Sequence, residues 1–317
     1  MRVVTLAGGV GGAKLAHGLQ QALAAGELTV LVNTGDDLEL HGLLVMPDHD
    51  TVLYTLAGLA DREQGWGLAG DTFVGAAMLE RYGAATWFRL GDGDLATHVL
   101  RAERLRAGER LTPACLGLQT ALGVASRILP MCDEPVRTRV RTDDGWLDFQ
   151  DYFVRLHQAP EVRELAFEGI TAARPTAEVA AAIAAADAIA FAPSNPLVSL
   201  GPILALPGLR ALLAGARDRG VPIVAVSPIV GGRALRGPAD RMLASLGHES
   251  SALGVARLYA ALLDGFVLDR EDERLGPAIE ALGLRTLVTD TIMRDDADRA
   301  RLAREALTLA SELTAPR

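Results

Sequence analysis

The chain has 317 residues, half of them hydrophobic and 22% charged, which excludes general disorder and fits one large α/β domain with an insertion, or two domains. Its 31 basic and 40 acidic residues leave a formal charge of −9. That excludes a broadly basic nucleic-acid-binding face, but not an anionic small substrate held by local cations. Cys115 and Cys132, the two cysteines, make neither a disulfide framework nor a Cys-rich zinc site. They read as buried apolar residues. The start of the chain does not read as a signal peptide, and Val179–Ala192, the longest apolar stretch, is Ala-rich and broken by Asp187. A cytoplasmic protein is expected.

Val3–Ala7 is an apolar run that reads as a buried strand entering the glycines Gly8 and Gly9. Leu15, Leu19 and Leu23 recur at helical spacing, Gly26 ends that helix, and Leu28–Val32 is the next strand. This is a βαβ unit with a right-handed crossover. The pattern predicts helices at Thr51–Ala60, Asp71–Arg81, Asp94–Arg106 and Thr112–Leu122. Pro135–Val154 alternates and turns at Asp143-Asp144-Gly145, a hairpin signal whose second arm is Trp146–Phe153. The α/β rhythm then resumes. A helix at Ala177–Ala186, a strand at Ala188–Ala192, a helix at Leu209–Arg217 and a strand at Val221–Val226 are predicted. Helices at Pro238–Leu246 and Ser251–Leu263, strands at Phe266–Asp269 and Thr286–Thr289, and a helix at Asp296–Leu313 follow. The expected fold is α/β: a Rossmann-like, mainly parallel sheet with helices on both faces. Residues 1–50 and 170–317 form the core, and 51–169 a smaller, mostly helical insertion with a hairpin covering the site.

In an open α/β sheet, ligands bind beyond the carboxyl ends of the strands, so the informative loops are Gly8–Lys14, Asn33–Asp37, Pro193–Ser199 and Ser227–Arg236. Gly8-Gly9-Val10-Gly11-Gly12-Ala13-Lys14 offers backbone N–H groups at a helix start, an anion site. Lys14 stands where a dinucleotide fingerprint needs glycine, and it is followed by Leu15 where a Walker motif needs Ser or Thr. It is also the chain's only lysine among 30 arginines, which points to a compact ammonium wanted at a phosphate. Asp36, Asp37, Asp48 and Asp50 form an acidic cluster of the kind that repels unless a hard cation or a cationic ligand binds it. Helix capping by Asp48 or Asp50 is the competing explanation. Arg89 is a charge in the apolar stretch Trp87-Phe88-Arg89-Leu90, and Asp94 reads as the N-cap of the helix carrying His98. Ser194 and Asn195 suit phosphate or ribose contacts, and Arg233 and Arg236 phosphate clamps.

Taken in order, Leu6–Leu15, Asn33-Thr34-Gly35-Asp36-Asp37, Pro47-Asp48-His49-Asp50-Thr51-Val52-Leu53-Tyr54, Arg89-Leu90-Gly91-Asp92, Ile128–Met131, Pro193-Ser194-Asn195-Pro196 and Val226-Ser227-Pro228-Ile229 resemble the CofD family, 2-phospho-L-lactate transferases of deazaflavin coenzyme biosynthesis. The resemblance implies transfer of a phosphorylated three-carbon acid (phospholactate, phosphoenolpyruvate or phosphoglycerate) from a guanosine diphosphate-linked donor to the terminal hydroxyl of the deazaflavin Fo, releasing GMP, with Mg²⁺ as cofactor. It also implies that Asp50 and Arg89 contact Fo. On this basis Gly8, Gly9, Val10, Gly11, Gly12, Lys14, Ser194 and Asn195 are assigned to the donor phosphates. Asp36, Asp37 and Asp50 are assigned to the metal, with Asp50 also orienting the hydroxyl. A homodimer is expected, without nucleic-acid or membrane partners. The alternative is a YvcK-like regulator that binds a nucleotide sugar without catalysis. The second-strand loop of those proteins reads Asp-Asp-Gly-Gly-Ser-Ser-Gly-Arg, unlike Asp36-Asp37-Leu38-Glu39-Leu40.

Overall fold

Val3–Ala7 (β1) is buried at every position, leads into α1 (Gly9–Ala22), and is followed by the equally buried Leu28–Val32 (β2). Continuous apolar strands of this kind belong in a parallel sheet covered on both faces. The protein is described by a computed structural model over residues 1–314. Leu38–Leu40 (β3) and Leu43–Val45 (β4) form a small hairpin that the sequence reading missed. Its turn is His41-Gly42, both at positive φ (52° and 73°), and His in place of the usual Asn or Asp hides the signal. The four expected helices follow as α2 (Pro47–Leu56), α3 (Val74–Arg81), α4 (Asp92–Arg106) and α5 (Leu111–Ala121).

Arg127–Pro130 (β5) lies within the stretch read as insertion, yet it pairs with β2 in the main sheet. Its terminal proline suits this edge position. Arg137–Thr142 (β6), Gly145–Asp148 (β7) and Glu164–Glu168 (β8) make a separate antiparallel sheet in the order β7-β6-β8. The expected hairpin is present, but its second arm stops at Asp148 and Asp151–Arg155 is a π-helical turn. The chain continues through α6 (Ala177–Ala185), β9 (Ala188–Phe191), α7 (Leu200–Ala205), α8 (Leu209–Asp218) and β10 (Ile223–Val226). A two-residue ribbon, β11 (Ile229–Val230) with β12 (Arg233–Ala234), precedes α9 (Ala239–Ser245), α10 (Ala252–Tyr259) and β13 (Gly265–Asp269). A 3₁₀ turn, α11 (Gly276–Glu280), β14 (Arg285–Thr289) and α12 (Asp296–Thr314) close the described chain.

The seven-stranded sheet runs β14-β13-β10-β9-β1-β2-β5, and every pairing in it is parallel. Alternate β1 residues feed two cores. Val4 and Leu6 join Phe191, Leu213 and Phe266 on one face. Val3 and Ala7 join Leu15, Leu53 and Leu302 on the other. From β1 the chain first builds outward to β2 and β5, then returns to build the other side from β9. The strand order therefore reverses between β1 and β9, and a ligand crevice opens beyond their carboxyl ends. Among the described residues no helix is long and apolar enough to cross a membrane.

Candidate active site

A cavity of about 790 Å³ lies at that point. All four predicted loops contribute to its wall, among them Gly8–Gly11, Asp36, Ser194 and Ser227. Ser194 joins the two loops at the switch point. Its hydroxyl accepts the Gly8 N–H at 3.1 Å and donates to the Gly8 carbonyl at 2.8 Å. Its donor function is thereby used within the fold, so Ser194 shapes the glycine loop. Asn195 is similarly engaged, its side-chain oxygen accepting the Leu197 N–H at 2.9 Å.

The glycines divide by role. A Cβ on Gly8 would lie 2.5 Å from Asp48 Oδ2, and one on Gly11 2.2 Å from the Pro193 carbonyl, so both mark close approaches, of the β1–α1 turn to α2 and of α1 to the loop after β9. Gly12 does not line the cavity. A Cβ there would meet Ser194 Oγ at 2.7 Å and Ala7 Cβ at 2.9 Å, so tight strand–helix packing accounts for it. Gly8, Gly9, Val10, Gly11 and Lys14 do line the cavity, as do Ser194 and Asn195.

Lys14 is half-buried and donates to the Met293 carbonyl at 2.9 Å. Burial and the nearby charges of Arg299 and Arg236 lower its pKa. Arg236, also in the wall, is held by the Gln64 and Glu63 carbonyls at 2.6 and 3.2 Å. Arg89 lies 4.0 Å over the Phe73 ring. Among the described residues none of these three cations has a carboxylate partner within 4.0 Å, unlike the cavity's Arg294, which pairs with Asp290. Arg233, read as a second clamp, is not in the wall. Trp66, Phe88, Phe149, Phe153 and Leu235 supply apolar wall suited to a planar ring.

The acidic cluster separates in the fold. Asp36, Asp48 and Asp50 reach the cavity; Asp37 does not. Neither Asp48 nor Asp50 caps α2, whose N-cap is Met46 without a side-chain cap bond. Asp48 Oδ2 accepts from Asn33 Nδ2 at 3.0 Å. Burial raises the Asp48 carboxyl to about 6. Burial and then the Asp48 charge push Asp36 well above the carboxylate range. Two buried, mutually repelling carboxylates at a cavity wall are an arrangement that a hard cation relieves.

Asp50 is different. Burial pushes its carboxyl up, but the guanidinium of Arg101, the hydrogen bond to His49 and the nearby His98 together hold it well below the usual range. Arg101 donates to both carboxylate oxygens, at 3.1 Å to Oδ2 and in a shorter contact to Oδ1. The metal set expected from sequence, Asp36, Asp37 and Asp50, is thus not assembled. Asp37 lies behind the cavity wall, within reach of the charges of Asp50 and Arg101, and the oxygens of Asp50 already carry a cation.

Asp94 is not the cap of α4. That role falls to Asp71, which accepts the Gly93 and Asp94 N–H groups at 2.8 and 3.0 Å. The Asp94 carboxylate is left to accept the Tyr54 hydroxyl at 2.7 Å. Asp50, Asp94 and His98 have ligand-type atoms within 4.8 Å of one another. Asp50 and Asp94, however, lie at opposite nitrogens of the His98 ring, at 3.6 and 3.3 Å, so the three do not converge on one point as metal ligands would. Arg101 was missed by sequence reasoning because an arginine in a polar helix reads as solvent-facing. Both cysteines are buried, and burial pushes Cys132 up to about 12, as inert packing residues require.

Comparison with known proteins gives the family. The family model "2-phospho-L-lactate transferase CofD" matches residues 3–301. The chain is 45% identical to the "Phosphoenolpyruvate transferase" of Streptomyces griseus over 99% of its own length and 100% of the relative's. It is 38% identical to the "2-phospho-L-lactate transferase" of Methanosarcina barkeri, again over 99% and 100% of the two chains. Among solved structures, a member of the UPF0052 family from Bacillus halodurans superimposes with a TM-score of 0.65 at 15% identity, covering 96% of this chain and 98% of that one. That likeness bears on the fold alone and agrees with the Rossmann-like sheet. The sequence matches along nearly the whole chain settle membership: the protein belongs to the 2-phospho-L-lactate transferase (CofD) family.

Proposed function

We propose that this protein transfers a phosphorylated three-carbon acid from a guanosine diphosphate-linked donor to the terminal hydroxyl of the deazaflavin Fo, releasing GMP. The observation that carries this reading is a single cavity combining an open glycine loop, cations without carboxylate partners and buried carboxylates beside aromatic wall. The hydroxyl oxygen forms a new P–O bond, the P–O bond to GMP breaks, and the hydroxyl proton is released. The N–H groups at the start of α1 suit the diphosphate oxygens, with Lys14 and Arg236 balancing their charge. Asp50, held ionised by Arg101, is a weak base but a firm hydrogen-bond acceptor, so its role is to orient the acceptor hydroxyl. Asp36 and Asp48 fit Mg²⁺ better than the set expected from sequence. Mg²⁺ held there would neutralise charge developing on the diphosphate.

Binding of Fo separates this reading from a nucleotide-sugar-binding regulator. Purified protein should quench or shift Fo fluorescence, and an unchanged spectrum at saturating protein contradicts the reading. Arg89→Ala should weaken that binding with a smaller effect on kcat, because its guanidinium, seated on Phe73 and without a carboxylate partner among the described residues, keeps its edge and other face for a planar ring. Equal Fo affinity in the variant contradicts the assignment. Lys14→Ala should raise the donor KM several-fold to about a hundredfold, roughly 1–3 kcal/mol for a charge-assisted contact. Fo affinity should stay near wild type, and unaltered donor binding would remove Lys14 from the phosphate site.

A further inference from the structure

We propose that Arg101, supported by His98, is a positioning residue that fixes the plane and direction of the Asp50 carboxylate toward the acceptor hydroxyl; the inference rests on the reading of Asp50 given above. Asp94, His98 and Arg101 fall on one face of α4 at helical spacing. That face would ordinarily be apolar. Instead, α4 buries His98 and Arg101 with only Ala102 beside them, and Arg101 is the largest fully buried side chain among the described residues.

The contacts of Arg101 converge on one object. One guanidinium nitrogen donates to Asp50 Oδ2 at 3.1 Å and to the Leu44 carbonyl at 3.2 Å, and the other donates to Asp50 Oδ1. A fork on both oxygens sets the plane of a carboxylate, which a single ammonium cannot do. The Leu44 contact ties the fork to β4, so the start of α2, the middle of α4 and the β3–β4 hairpin are fixed together. His98 closes the array. Its Nδ1 lies 3.4 Å from the donating Arg101 nitrogen and 3.6 Å from Asp50 Oδ2, and its Nε2 lies 3.3 Å from Asp94 Oδ1, so the buried ring is wedged between the two carboxylates and the guanidinium. Asp94 is itself anchored by the Tyr54 hydroxyl. Asp50, Tyr54, Asp94 and His98 all reach the cavity wall; Arg101 stands behind them.

Stability alone is a poor reason for this arrangement. Buried ion pairs are commonly no more stabilising than apolar side chains of similar volume, and Leu or Met at position 101 would pack a helix face. A carboxylate that must hold one orientation in a cavity gives the fork a purpose, since small misplacements of a substrate-positioning group are costly in rate.

The test is a kinetic cycle with melting curves alongside. Arg101→Lys keeps the charge and loses the fork. It should lower kcat about tenfold or more, with the donor KM within about threefold of wild type. In an Asp50→Asn background the same change should cost nothing further, because the group it positions is already disabled. His98→Gln, a gentler change, should lower kcat in the same pattern and keeps the test open if Arg101→Lys does not fold. Arg101→Lys and His98→Gln proteins that melt lower but turn over at the wild-type kcat would overturn the proposal, leaving Arg101 a merely structural residue. A kcat loss that persists undiminished in the Asp50→Asn background would also overturn it. Wild-type turnover in Asp50→Asn itself would show that the reading of Asp50 has failed, and the proposal with it.

Discussion

Asp50→Asn should lower kcat by about a hundredfold or more, the usual size for losing a group that positions a reacting hydroxyl. The fold makes a second, separable demand. Asp50 is not a helix cap, for which asparagine would be an equal substitute, but the anionic partner of a guanidinium with no solvent exposure. Removing its charge leaves Arg101 buried and unbalanced, although the amide oxygen still accepts one hydrogen bond. Breaking such a pair should destabilise the protein by about 3 kcal/mol and lower the melting temperature by roughly 5–10 °C. Assays well below the variant's melting point separate the two effects. A variant that melts lower but turns over normally would reduce Asp50 to a structural role.

The second large effect concerns Asp48. Asp48→Asn should abolish most turnover, again by about a hundredfold or more, yet leave the melting temperature equal or higher. The carboxylate it replaces is buried and repels Asp36, while asparagine keeps an oxygen for the Asn33 amide. A loss of function coupled to a gain in stability is the signature of a strained functional group. If Asp36 and Asp48 hold Mg²⁺, the ion should raise the melting temperature of the wild type and not of Asp48→Asn. Chelation should remove activity and added Mg²⁺ restore it. Full turnover in excess EDTA, with metal removal verified, contradicts a required ion.

What the sequence made legible was whatever repeats a local rule. The buried strands Val3–Ala7 and Leu28–Val32 are apolar runs beside glycine turns, and the final helix from Asp296 carries its periodicity openly. Four post-strand loops were recognisable because topology obliges ligand loops to follow parallel strands. The hairpin at His41-Gly42 and the edge strand Arg127–Pro130 were not, since each is stabilised mainly by a partner distant in sequence or by an uncommon turn residue. In the site, the glycine loop and the acidic cluster were visible as residue types. Which acids converge was not: Asp36 and Asp37 are adjacent, yet only Asp36 enters the cavity. Asp94 looked like a cap because Asp71, the true cap, is 23 residues away. Arg101 carries no local mark at all, and only the tertiary contact with Asp50 gives it meaning.

The central claim is tested most directly by incubating the purified protein with Fo, a guanosine diphosphate-linked phospho-acid and Mg²⁺, and weighing the deazaflavin product by mass spectrometry while measuring free GMP. The account predicts a deazaflavin heavier by one phosphorylated three-carbon acid, formed in equal amount with GMP, and the added mass identifies the acid. Unmodified Fo with each candidate donor, beside intact and tightly bound nucleotide, would contradict it.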